Sequence, residues 1–216
     1  MAADRFIVTP EVSKHRVFVW LDGAYLADHQ TRAFPRTDDY FFGILHSRVH
    51  ETWARAQGTQ LRERESGFRY TPSTCFETFA FPEPTVGQRD AIAEAAKELD
   101  RLRNNWLNPP EWTRQEVLEF PGSATGPWAR FVHEPDSRGI GTVRYPRLVA
   151  KDQDCAKLLA ARTLTKLYNE RPTWLELAHR KLDEAVFGAY GWDVAFSDEQ
   201  ILARLLELNV QRKPGE

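Results

Sequence analysis

Cysteine is scarce in this chain: two in 216 residues, Cys75 and Cys155, far apart and in no CxxC pair. That usage excludes a disulfide framework and fits a reducing compartment. Methionine occurs once, as Met1. No apolar run approaches the ~18–20 residues of a membrane helix. Residues 1–12 (MAADRFIVTPEV) lack the apolar stretch and small-residue cleavage site of a signal peptide. The expected location is therefore the cytoplasm, with no membrane partner. A basic excess is missing too: 29 Lys and Arg face 31 Asp and Glu, for a formal net charge of -2. An indiscriminate polyanion binder carries positive excess. Any nucleic-acid contact must then come from a local patch, or from charge carried elsewhere on a larger protein. Internal repeats and low-complexity tracts are absent as well.

What is present suits a folded globular chain. Hydrophobic residues make up 42% and charged residues 28%, enough apolar content for a real core at this length. The character of the chain changes near Pro82. Before it, residues 6–8 and 17–21 are β-branched and aromatic runs of strand length. Tyr40, Phe41, Ile44, Leu45, Val49 and Trp53 recur at helical spacing, predicting one helix over residues 38–57, capped by Thr37 or Asp38 and ended by Gly58. Short extended pieces follow at residues 69–71 and 76–79.

After Pro82 helices dominate. Thr85/Gln88, Thr113/Glu116, Thr173/Glu176 and Ser197/Gln200 each read as a capping box at a helix start. A further helix is expected over about residues 152–169, ended by Pro172. The last helix is expected to bury Ile201, Leu202, Leu205, Leu206 and Leu208. Residues 120–150 are rich in proline and glycine and read as a long irregular segment, packed through Trp128, Phe131 and Tyr145. The fold class is α+β: a small mixed strand and helix subdomain at residues 1–84, then an α-helical bundle at residues 85–216 with the irregular segment inside it.

Several strings, taken in order, resemble one family: residues 12–18 (VSKHRVF), 38–51 (DDYFFGILHSRVHE), 69–72 (RYTP), 75–79 (CFETF), 163–169 (TLTKLYN), 182–186 (LDEAV) and 189–192 (AYGW). Together they resemble the target-recognition segment and C-terminal helical domain of MmeI-like (type IIL) adenine-specific DNA methyltransferases. The resemblance spans roughly residues 6–212. It implies a parent enzyme that moves a methyl group from S-adenosylmethionine to N6 of an adenine flipped out of duplex DNA. It also implies bacterial restriction-modification or defence as the setting, and double-stranded DNA and a methyltransferase catalytic domain or subunit as partners. This chain carries no glycine-rich cofactor loop between strand and helix. Gly139-Ile140-Gly141 reads as a turn. Asn108-Pro109-Pro110 is followed by Glu111, with Trp112 one position late for an aromatic catalytic motif. It reads as punctuation between two helices. No catalytic, cofactor-binding or metal residue is therefore assigned here, and S-adenosylmethionine is expected on the parent enzyme's catalytic domain.

The candidate DNA-binding residues are Lys14, His15, Arg16, Ser47, Arg48, Arg69 and Tyr70. Lys and Arg hold phosphates, and Arg also reads guanine with its planar fork. The competing reading for Lys14 to Arg16 is a solvated strand edge. For Arg69 and Tyr70 it is a turn held by the charges of residues 62–67. His46 and His50 stand four apart, which is also a zinc spacing, but no third ligand is evident. They are expected to pack or hydrogen-bond at the helix surface. Trp174, His179, Asp183, Tyr190 and Trp192 are assigned to structure. Arg144, Arg147, Arg162 and Lys166 read either as a basic face or as solvated side chains.

Overall fold

A computed structural model describes residues 4–60 and 67–212. The N-terminal part runs β1 (Arg5–Pro10), β2 (Val12–Ser13), β3 (Val19–Asp22), β4 (Thr31–Phe34), α1 (Asp39–His46), α2 (Arg48–Gln57), β5 (Thr59–Gln60) and β6 (Phe68–Arg69), then a π-helical turn at Pro72–Phe76. The rest runs α3 (Val86–Leu107), β7 (Thr113–Ser123), a 3-10 turn at Ala129–Phe131, β8 (Val132–His133), β9 (Ile140–Ala150), α4 (Gln153–Ala160), α5 (Leu164–Glu170), α6 (Thr173–Tyr190) and α7 (Asp198–Arg212). Small antiparallel sheets and packed helices make this an α+β fold.

In the first sheet β1 lies between β3 and β4, with Ile7 opposite Trp20 and Phe34. In the second, β6 lies between β2 and β5. The helix expected over residues 38–57 is two helices. Asp38 caps the first through the Phe41 N–H at 2.9 Å. Ser47 then leaves helical geometry (φ -71°, ψ 152°), donates its hydroxyl to Ile44 O at 2.7 Å, and accepts from the His50 N–H at 3.3 Å. One serine thus ends α1 and starts α2, because its side chain satisfies orphan backbone groups on both sides. Residues 152–169 divide the same way, where Thr163 caps α5 through the Lys166 N–H. Residues 76–79 are not extended: the π-helical turn ends at Phe76 and a further turn follows it. The charged turn expected at residues 62–66 lies outside the described residues.

The largest correction is at residues 120–150. They form a long antiparallel ribbon, β7 against β9 in continuous register from Thr113↔Ala150 to Ser123↔Ile140. The prolines are tolerated because β9 has strands on both sides only at Thr142 and Val143, where β8 joins. At Pro146 β9 has β7 on one side only, the edge setting in which a strand tolerates proline. Gly139 turns the chain at φ +77°, a region that favours glycine. Trp128 and Phe131 pack on Tyr145 at 4.9 and 5.0 Å, as expected from their composition. Thr113 begins β7 rather than a helix, and its hydroxyl donates to Pro109 O at 2.9 Å. The Thr85 and Ser197 capping boxes both form. At Thr173 the N-cap is Pro172, without a side-chain bond, and Glu176 pairs with Arg171 instead.

The apolar core is continuous across residues 84–85. Ile44, Leu45, Val49 and Trp53 share it with Ile92, Leu99, Leu182, Val186, Ile201 and Leu205. Leu206, expected inside, is 53% exposed. Gly43 lets α1, α3 and α6 meet. A Cβ there would lie 2.8 Å from Ile92 Cγ2, 3.1 Å from Ala96 Cβ and 3.2 Å from Leu182 Cδ1. Gly43→Val must push three helices apart, and overpacking of this kind costs about 1–3 kcal/mol. We expect its urea midpoint to fall accordingly. A midpoint equal to wild type is incompatible with this three-helix contact.

Candidate nucleic-acid interface

A cleft of about 160 Å³ opens where the N-terminal part meets α5 and α6. Its walls are His15, Arg16, His46, Arg48, Glu51, Arg55, Tyr168, Arg171, His179 and Asp183. Four guanidiniums and two carboxylates line it, and Asp198 and Glu176 pair with Arg48 and Arg171 at its edge, in a chain whose net charge is -2. Guanidinium donors are therefore concentrated locally although the chain as a whole is slightly acidic.

The floor is set by Arg103 of α3, which is 2% exposed. Its Nη1 donates to His46 Nε2 at 2.8 Å and lies 3.4 Å from the Tyr168 hydroxyl. Its Nη2 donates to Phe18 O at 3.0 Å and pairs with Asp100 at 3.1 Å. His46 Nε2 also accepts the Phe18 N–H at 3.1 Å, while Nδ1 faces Phe42 O at 3.1 Å. Both neighbours of Nε2 are donors and the neighbour of Nδ1 is a carbonyl, so the ring is neutral and protonated on Nδ1. Burial, then the charge of Arg103, hold its pKa well below the ordinary value. His50 is set the same way between Leu45 O (2.9 Å) and the Tyr70 hydroxyl (3.1 Å), with burial lowering it to about 4. His179 faces the Tyr168 hydroxyl at 2.9 Å, and burial lowers it to about 3. Both His46 and His50 are buried inside the fold rather than at a helix surface, with both ring nitrogens of each engaged by protein groups.

The candidate residues divide by burial. His15, Arg16 and Arg48 line the cleft. Lys14 stands exposed beside it. Its Nζ and His15 Nε2 both donate to Asn169 Oδ1, at 2.9 and 2.8 Å. The Arg48 backbone N–H donates to Asp183 Oδ1 at 2.7 Å, and its guanidinium pairs with Asp198 at 2.7 Å. Arg16 is only 5% exposed. Its guanidinium donates to Pro10 O, to Thr9 Oγ1 at 3.1 Å and to Phe68 O at 3.0 Å, so it ties β1 to β6. Burial lowers its pKa to about 10. Tyr70 and Ser47 have no exposed surface. Arg69 lies outside the cleft, exposed and 3.3 Å from Glu11. Sequence reasoning missed Arg55, Arg103 and Arg171, and placed His179 and Asp183 in structure alone. Only the helix packing brings these residues to residues 15–16. Burial lifts the Asp183 carboxyl to about 7. Of the scattered basic residues, Arg144 and Arg147 pair across the ribbon with Glu119 and Glu116. Arg162 stacks on Trp106 and Trp112, and Lys166 lies 3.9 Å from Glu170.

A second, open groove of about 390 Å³ runs past Trp106, Pro109, Pro110, Glu111, Arg162 and Trp174. Asn108 does not line it but closes α3, its N–H on Asn104 O at 2.8 Å. With Asn108 used as a helix cap and no glycine-rich strand-to-helix turn beside it, these residues do not fit a methyl-donor site.

Residues 2–83 match the family model "MmeI, target recognition domain". Over those residues the chain is similar to an MmeI target recognition domain. The chain is 28% identical over 171 residues to DNA methyltransferase A of Bacillus subtilis (strain 168), covering 78% of this chain and 13% of that protein. Its fold is similar, with a TM-score of 0.66 and 23% identity, to the solved structure of the Type IIL restriction-modification enzyme MmeI in complex with DNA. That likeness covers 98% of this chain and 22% of the MmeI chain, so the shared fold reaches past the recognition domain through the C-terminal helices. The cleft lies between the two: His15, Arg16, Arg48 and Arg55 come from the recognition domain, and Tyr168, Arg171, His179 and Asp183 from the helices.

The three neutral histidines dictate a pH response. Their folded values lie below the ordinary 6.5, so unfolding takes up protons below that pH, and stability falls as pH drops from about 6.5 towards 4. Asp183 opposes this, because its folded value of about 7 lies above the ordinary 3.8. It favours the folded state increasingly as pH falls from about 7 towards 4. Three groups against one leave a net uptake of roughly two protons, or on the order of 3 kcal/mol lost per pH unit near pH 5. Urea titrations at about pH 7, 6 and 5 should show this loss, steeper in Asp183→Asn. A flat profile contradicts the neutral histidine network.

Proposed function

We propose that this chain is the DNA-recognition and C-terminal portion of an S-adenosylmethionine-dependent N6-adenine DNA methyltransferase of a bacterial restriction-modification or defence system, working in the cytoplasm. Residues 1–84 read duplex DNA and residues 85–216 support them. The methyl donor and the flipped adenine belong to a catalytic domain or subunit of the parent enzyme. The observation that carries this reading is the cationic cleft, one wall of which is built by residues of the recognition domain. Lys14, His15 and Arg48 reach its rim and are assigned to backbone phosphates, which position a protein on DNA without reading sequence. Arg69, exposed on β6, is assigned to the same duplex. Arg16, Ser47 and Tyr70 act from inside by fixing the loop and helix ends that carry those side chains.

A mobility-shift titration of duplex DNA at low and moderate salt tests this. We expect binding that weakens as salt rises. Lys14→Ala and Arg48→Ala should each flatten the log–log salt slope by about 1, the value of one phosphate contact. The bracing alternative, in which the chain mainly supports a catalytic domain, is favoured by an exposed apolar strip on the ribbon. Val117 is 53% exposed and Leu148 57%, with Pro146 between them on the same face. Absence of DNA binding at low salt supports bracing instead.

Methyl transfer from labelled S-adenosylmethionine should stay at background with this chain alone. Clear turnover would overturn the division of labour proposed here.

A further inference from the structure

We propose that Arg171, in the helical half, grips a DNA phosphodiester across the cleft from Arg48 and His15, so that the DNA site spans both halves of the chain. The inference rests on the DNA reading above and adds a ligand that no recognition-domain residue supplies. Arg171 joins α5 to α6 with φ 41° and ψ 62°, a left-handed conformation. A non-glycine residue there costs on the order of 1–2 kcal/mol. The αL cap does let the Arg171 N–H bond Leu167 O at 2.8 Å and close α5, but glycine would make that same bond without the Cβ penalty. The Arg171 side chain is 50% exposed, and its ion-pair partner is Glu176, also exposed. Such surface pairs contribute about 0–1 kcal/mol. Glycine would satisfy the backbone better, yet an arginine occupies the position and lines the cleft.

The surroundings point to a phosphate. Arg48, Arg55 and Arg171 are each partly exposed and each paired with one carboxylate, Asp198, Glu51 and Glu176 respectively. A guanidinium offers five donors, so each keeps N–H groups to spare. Each carboxylate neutralises its own partner, so what the cleft offers an added anion is these spare donors, gathered in one place. At about 160 Å³ the cleft is sized for a single phosphate group rather than a nucleotide cofactor. Besides its histidines, the aromatic ring in its wall is Tyr168, which is 9% exposed. It offers no platform for stacking a base, and that selects the backbone as the element held. The two walls are also held in register. Lys14 and His15 share Asn169 Oδ1, two residues before Arg171. Glu176 then acts as an internal stand-in for the phosphate.

Arg171→Gly separates this role from a structural one, because glycine relieves the left-handed backbone. We expect its thermal midpoint to equal or exceed wild type, its affinity for duplex DNA to fall about ten-fold at low salt, and its salt slope to flatten by about 1. Glu176→Gln, which frees the guanidinium, should bind as tightly as wild type or more so. If Arg171→Gly keeps wild-type affinity and slope while Lys14→Ala and Arg48→Ala weaken binding, this inference fails and the DNA reading stands. If Arg171→Gly lowers the thermal midpoint, the arginine is structural and the inference fails. A wild-type chain with no salt-dependent DNA binding sinks both. Thermal stabilisation by inorganic phosphate, lost in Arg171→Gly without any DNA binding, identifies a small-anion site and overturns the DNA assignment.

Discussion

The guanidinium of Arg103 sits in the interior with almost no solvent around it. Burying a charge costs several kcal/mol unless polar groups replace its water. Here the replacements come from far apart in the chain: Phe18 O, His46 Nε2, the Tyr168 hydroxyl and Asp100. Each must be in place for the charge to be tolerated. His46 must be neutral, the Phe18 peptide must aim both its N–H and its C=O inward, and α5 must bring Tyr168 to Arg103 of α3. The loop that carries Lys14 and His15 leads directly into Phe18, so its position beside α5 and α6 follows from this one buried cation. The cleft is the outer surface of that arrangement.

Net charge and local charge are separate quantities in this protein. The chain totals -2, yet the cleft gathers four guanidiniums against two carboxylates, and the pull of burial on Asp183 makes one of those carboxylates only partly ionised at neutral pH. Arg48, Arg55 and Arg171 each hold one carboxylate and keep further donors free. Arg144 and Arg147 stand directly opposite Glu119 and Glu116 in the ribbon register. Field strength at a surface depends on which charges are left unmatched in one place, which composition does not report.

The helices show how far local pattern goes. Thr85/Gln88 and Ser197/Gln200 announced real helix starts, because a capping box is satisfied entirely within four residues. The same pattern at Thr113 opened a strand. There the competing partner, β9, lies more than thirty residues away, and pairing along eleven positions outweighs one cap. Proline and glycine between residues 120 and 150 suggested irregularity, but a ribbon open along most of one edge tolerates both. Arg16 and Tyr70 looked like surface donors by residue type. Carbonyls from Pro10 and Phe68 in one case, and His50 in the other, made them interior.

By itself the sequence determined the fold class, most of the helices, the strands β1, β3 and β6, the likeness of residues 2–83 to a recognition domain and the segments containing Lys14, His15 and Arg48. These rest on spacing, capping and local order, all of which act over a few residues. Tertiary structure alone decided which cations face solvent, which histidines are neutral, and that Arg171 and Asp183 stand beside residues more than 120 positions earlier. Burial and charge proximity depend on distances between elements, and those are fixed only when the helices close over Arg103.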